Sequence, residues 1–135
     1  MSYLVLCTHE DFDAIEDVEV GFNEKFELVM RLSLTLYGWA GEHFDDPRCH
    51  IEAYLSRDES YRLSKRLKVP LAKLHGVVAD AVDPELAKEI FPSQDDTWAA
   101  FRQMTDFVLR HGARYKIRYK DGHSNLFGSY NRWHD

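Results

Sequence analysis

Apolar and polar residues alternate most regularly between residues 17 and 36. Val18, Val20 and Phe22 alternate with Asp17, Glu19 and Gly21. After Asn23-Glu24-Lys25 the alternation resumes as Phe26, Leu28, Met30, Leu32, Leu34 and Leu36. A repeat of two residues places one set of side chains on each face of a strand. Helical spacing fits fewer of these positions. The pattern predicts a β-hairpin that turns at Asn23–Lys25, with residues 26–36 paired to residues 17–22 and the leucines and Met30 facing a core.

Two shorter segments also read as strands. Tyr3 to Thr8 is a brief apolar run, predicted as a buried strand, and His50 to Ser56 alternates with Ile51, Ala53 and Leu55 on one face. A helical turn is sketched around Phe12–Glu16. Gly38, Gly41 and Pro47 mark residues 38–49 as loop.

The middle of the chain is helical in pattern. Ser56 or Asp58 can cap a helix over 59–67, and Pro70 fits the first turn of a second helix over about 70–81. Asp83-Pro84 opens a short third helix that Phe91-Pro92 ends. From Ser93 a longer helix carries the stripe Trp98, Phe101, Thr105, Val108 and Leu109, and Gly112 supplies its stop. Tyr115, Ile117 and Tyr119 then alternate with Arg114, Lys116, Arg118 and Lys120. Asp121-Gly122 is a hairpin-turn signal before a last strand from His123 to about Tyr130.

These elements predict an α+β fold: an antiparallel sheet from the N- and C-terminal strands, with the central helices packed on one face. The 135 residues suit one domain, 1–135. Cys7 and Cys49 form no framework of disulfides, and Cys7 in its apolar run is expected to be buried. The start of the chain lacks the basic and apolar regions of a signal peptide, and no stretch of about 18 apolar residues exists, so a cytoplasmic protein is expected.

Charge changes the picture. Residues 1–30 hold eight acids and one base, Lys25. Residues 61–75 hold five bases and no acid, and residues 110–120 hold five more. The net charge of −6 therefore hides a chain whose signs are separated along its length. Separated charge bears on steering and partner choice.

Three functions follow as expectations. The first is a small non-enzymatic module that binds another protein, of the inhibitor, immunity or phage counter-defence kind, through charged surfaces. Its candidate residues are Glu19 and Glu27 in the acidic hairpin and Arg114, Lys116, Arg118 and Lys120 in the basic strand. A solvated hairpin face and a charge-protected edge strand are the structural alternatives. The second is a nucleic-acid-binding regulator. Residues 61–78 have the parts of a helix-turn-helix, with Arg62, Lys65, Arg66, Lys68 and Lys73 as phosphate contacts. A helical hairpin packed by its leucines is the alternative. The third is a small hydrolase or nuclease using His111 and His123 beside Lys116 or Lys120.

The chain has no HExxH, CxxC, glycine-rich phosphate loop or Gly-x-Ser-x-Gly, and the adjacent pair Cys49-His50 with His43 makes a poor ligand set. No catalytic residues, metal ligands or cofactor are assigned, and no membrane partner is expected.

Overall fold

In the computed structural model, residues 3–10, 14–36, 48–83 and 94–120 are described. They form an α+β fold. Its five strands are β1 (Leu4–Glu10), β2 (Ala14–Phe22), β3 (Leu28–Leu36), β4 (Arg48–Leu55) and β5 (Lys116–Lys120). Each pairs antiparallel with its neighbour in the order β1-β2-β3-β4-β5. Between β4 and β5 lie helices α1 (Arg57–Leu67), α2 (Leu74–Asp80) and α3 (Gln94–Arg110). The expected architecture is therefore present. The last predicted strand and its turn lie outside the described residues, as do residues 38–47 of the predicted loop, the third predicted helix beyond Asp83, and Ser93; the last two residues of that loop, Arg48 and Cys49, instead begin β4.

The period-two hairpin forms, with its strand ends shifted from the predicted ones. Val18 pairs with Leu32 and Val20 with Met30. Leu28, Met30 and Leu32 are buried, and Leu34 packs partly buried on the same core. Strand β2 begins earlier than its alternation suggested. Residues 14–16 extend the ladder, with Ile15 opposite Thr35 and Glu16 opposite Leu34, so no helical turn forms there.

Strand β3 begins later than predicted. Phe26 adopts φ 61° and belongs to the turn. Its N–H donates to the Asn23 carbonyl, and the Asn23 N–H donates to the Glu27 carbonyl. The Asn23 Oδ1 accepts from the N–H groups of Lys25 and Glu27. This is a tight turn closed by one left-handed residue, a position that usually takes Gly. The strand at the N-terminus also differs from its reading. It is an edge among the described strands, and Leu4 and Val5 are exposed while Cys7 is buried. The register shifts between Val5 and Cys7.

Helix α1 is capped by Ser56, whose Oγ accepts from the Glu59 N–H. It ends at Lys68, which is left-handed at φ 59° and returns its N–H to Lys65, with Val69 bonding to Ser64. The predicted second helix forms over residues 71–80, with a 3-10 first turn. A 3-10 turn, Leu71–Lys73, follows Pro70 and leads into the seven-residue α2. Ser60 ties this layer to the hairpin: its buried Oγ accepts from the Leu28 N–H and donates to the Ser56 carbonyl.

Helix α3 packs on β1, β2 and β3, and α2 packs on β1 and β2. Trp98, Phe101, Met104 and Val108 face inward, with Trp98 edge-on to Phe101 at 6.2 Å. Leu109, predicted within this stripe, is exposed. It falls on the flank of Arg102 and Asp106, seven and three residues behind it, which are also exposed. Gly112, at φ 82°, ends the helix as expected.

Phe101 is fully enclosed. Phe101→Ala should lower unfolding stability by about 3–5 kcal/mol, the range for a truncated core aromatic. Denaturant unfolding checks this, and a loss below about 1 kcal/mol would place the ring outside the core.

Candidate functional site: a charged row across the second sheet face

Antiparallel pairing brings distant residues into rows that run across the strands. One row reads Val5, Glu19, Arg31, Glu52, Arg118 from β1 to β5. It lies on the face opposite the one that receives the buried leucines, since strand side chains alternate. Its four charged members alternate in sign. The Arg31 Nη1 donates to Glu19 at 2.9 Å and its Nε donates to Glu52 Oε2 at 2.8 Å. The Arg118 Nε donates to the other Glu52 oxygen, also at 2.8 Å. Both Arg118 terminal nitrogens reach Glu27 Oε1 at 3.4 Å, and the Asn23 amide donates to the same oxygen.

Two tyrosines cover the guanidinium groups. Arg31 Cζ lies 4.3 Å from the Tyr3 ring centroid, and Arg118 Cζ lies 4.0 Å from that of Tyr54. The result is a connected unit of three carboxylates, two arginines and two rings. Its centre is the Glu52 side chain, only 3 % exposed. Such a buried charge is tolerable because both of its oxygens are bonded to cations.

Burial is the largest influence on Glu52 and pushes its pKa up. The hydrogen bonds and charges of Arg118 and Arg31 outweigh it, so the pKa lies below the ordinary 4.5. For Tyr3, burial dominates over the nearby Arg31 and raises the phenol pKa.

The adjacent row holds Thr8, Asp17, Ser33, His50 and Lys120. The Thr8 hydroxyl donates to Asp17 at 2.8 Å, and Ser33 Oγ and His50 Nδ1 are hydrogen-bonded at 3.0 Å. On the other side of the sheet, Glu16 shares the core-facing set of β2 and is buried, with its Oε2 accepting from Thr97 Oγ1 at 2.8 Å.

The candidate protein-binding residues thus divide. Glu19, Glu27 and Arg118 come together in one ion-pair network. Lys116 is exposed opposite Tyr54 in the next row. Arg114 is exposed before β5, and its N–H donates to Glu59. Lys120 falls opposite His50 in register. Charges that are separated along the sequence are therefore interleaved in space. Arg31, Glu52, Tyr3 and Tyr54 were missed by the sequence reading. Their signal was present in β3 and β4, where Arg31 and Glu52 occupy the polar phase of two alternating segments.

All five candidate nucleic-acid contacts, Arg62, Lys65, Arg66, Lys68 and Lys73, are exposed. They do not share one role. Arg66 Nη1 donates to the His111 carbonyl at 2.7 Å, so it caps the C-terminus of α3, where a cation complements the helix dipole. Arg62 pairs with Glu59 at 3.3 Å. Helix α2, which stands in the place of a recognition helix, carries no Lys or Arg and buries Leu74 and Val78.

Of the proposed acid–base pair, His111 is exposed and its ring lies 4.5 Å from that of Phe107. His123 lies outside the described residues, as does His43. Among the described residues, no group of three or more His, Cys, Asp or Glu is placed to hold a metal ion, and no helix is long and apolar enough to cross a membrane. No family model, curated protein or solved structure matches this chain.

The Glu52 pKa fixes the sign of a pH effect. A carboxylate whose pKa is depressed by folding adds stability above its unfolded value and loses it as pH falls through the folded value. Native stability should therefore decline as pH drops below about 4.5. Glu52→Gln should cost about 2–4 kcal/mol at neutral pH, because it weakens the partners of two arginines, and should flatten this acid limb. Urea unfolding at a series of pH values measures both. An unchanged acid limb would show that Glu52 does not control it.

Proposed function

We propose that this protein is a small protein-binding module of the inhibitor, immunity or counter-defence kind, and that it engages its partner through the second face of the sheet. The supporting observation is the Glu19–Arg31–Glu52–Arg118 row with its two stacked tyrosines. Arg and Tyr are the side-chain types that most often dominate binding energy when desolvated. Here they are held in place by neighbouring carboxylates and by the sheet itself. A rigid pattern of alternating charge favours a partner that matches it and penalises one that does not. Prior ordering also lowers the entropic cost of association.

Within this reading the residues divide their work. The network of Glu19, Arg31, Glu52 and Arg118 shapes the face and excludes mismatched partners. Arg114 and Lys116 are exposed at its β5 side and steer the encounter. Lys120, at the far end of β5, extends the same basic strand.

The test uses the partner recovered by affinity capture from the native host and identified by mass spectrometry. Association is then followed by stopped flow as salt rises from low to physiological levels, where the screening length falls to about 8 Å. The rate should fall with salt. The double reversal Arg114→Glu/Lys116→Glu should slow association by about threefold or more while leaving dissociation little changed. A rate within about twofold of the native one would reduce these bases to a solvated exterior.

A further inference from the structure

A second surface runs along α1. The exposed side of α1 presents Arg57, Tyr61 and Lys65, spaced four residues apart, so they fall along one helical face, and the exposed Lys68 follows at the helix C-cap. Ser60 docks the β2–β3 turn against the start of this helix through the Leu28 N–H. Phe26 thereby reaches the end of the same strip, with Arg57 Cζ 5.8 Å from its ring centroid. One turn further, Lys65 Nζ stands 4.7 Å from the Tyr61 ring. The order along the surface is aromatic, cation, aromatic, cation.

Both rings are unusually open. Phe26 is 46 % exposed and Tyr61 is 51 % exposed. Phe26 is also held left-handed, a conformation that disfavours a side chain at this position. The turn would form more easily with glycine, so the ring is kept at a conformational cost. Of the five bases in residues 57–68, Arg66 caps α3 and Arg62 pairs with Glu59, while Arg57, Lys65 and Lys68 stand exposed along the strip. Glu59 is also engaged by the Arg114 N–H.

We infer that this strip is a binding site for single-stranded nucleic acid. Half-exposed rings give bases a stacking platform, and the cations between them meet the phosphates. From Arg57 to Leu67 the helix rises about 15 Å, the length of roughly four stacked nucleotides of one strand. Helix-turn-helix reading of a duplex places base-contacting side chains of the second helix in the major groove, and α2, without Lys or Arg, offers no cationic ones. The site thus replaces the helix-turn-helix reading with a different use of its first helix. It does not rest on the protein-binding proposal, because no member of the charged row belongs to it.

Fluorescence anisotropy with a labelled oligothymidylate of about 20 nucleotides tests the inference. Affinity should fall between about 50 and 200 mM salt with a log–log slope near −2, as expected for about three phosphate contacts. Tyr61→Ala should weaken binding about fivefold or more. Arg57→Glu/Lys65→Glu should abolish it, while Lys73→Glu, off the strip, should leave it unchanged. Phe26→Gly removes the ring yet suits the left-handed turn. This variant should fold at least as stably by thermal melting and still bind about fivefold or more weakly. The inference is overturned if the native chain fails to bind at the lower salt. It is equally overturned if Tyr61→Ala and Phe26→Gly bind like the native chain, or if polyglutamate or duplex DNA competes as well as the oligothymidylate.

Discussion

The ion pairs of Glu52 constrain much of this structure. Its carboxylate is almost wholly enclosed, yet it sits on the sheet face that receives none of the core leucines. Two guanidinium groups, from β3 and β5, make that position tolerable. Each arginine in turn reaches another carboxylate, Glu19 on β2 or Glu27 at the turn. A one-residue slip of β4 against β3 would move Glu52 to the leucine face and Ile51 to the charged face. Apolar burial and ion pairing therefore select the same register from opposite sides of the sheet.

The two faces of the sheet do different physical work. On one, Val18, Val20, Leu28, Met30, Leu32 and Ile51 meet Phe101, Met104 and Val108 of α3. Each such side chain contributes about 1.5–3 kcal/mol on leaving water. On the other, the long side chains of Arg31, Arg118, Tyr3 and Tyr54 lie over one another and hold fixed charges in a set pattern. A buried ion pair contributes less to net stability than its Coulomb energy suggests, because both groups have been desolvated. Its larger effect here is to fix where each charge stands, which is the property a recognition surface needs.

The basic segments illustrate how tertiary structure divides residues of one type among unlike roles. Arg66 closes the end of α3, Arg118 completes the Glu52 network, and Lys65 lies beside an exposed tyrosine. Gly112 shows how closely the first of these is fitted. A Cβ added there would meet the Arg66 guanidinium at 2.7 Å. Counting bases along a segment gives the charge available but not the share already committed within the fold.

What the sequence determined by itself was local and periodic. The alternation at 17–36 identified the β2–β3 hairpin and its inward side. Ser56 and Gly112 marked helix ends through cap chemistry, and Trp98 and Phe101 marked the buried stripe of α3. These features depend on neighbours a few residues away, so a linear pattern carries them. Tertiary structure alone decided the rest. It tightened the first turn of the second helix to 3-10, assigned Phe26 to a strained turn instead of a strand, and left Leu109 exposed. Above all, it placed Glu27, from the first third of the chain, beside Arg118. That juxtaposition arises because antiparallel register pairs Glu52 with residues 21 and 66 positions away, and the Arg118 side chain then reaches back to Glu27, 91 residues earlier. No charge count along the chain contains that distance.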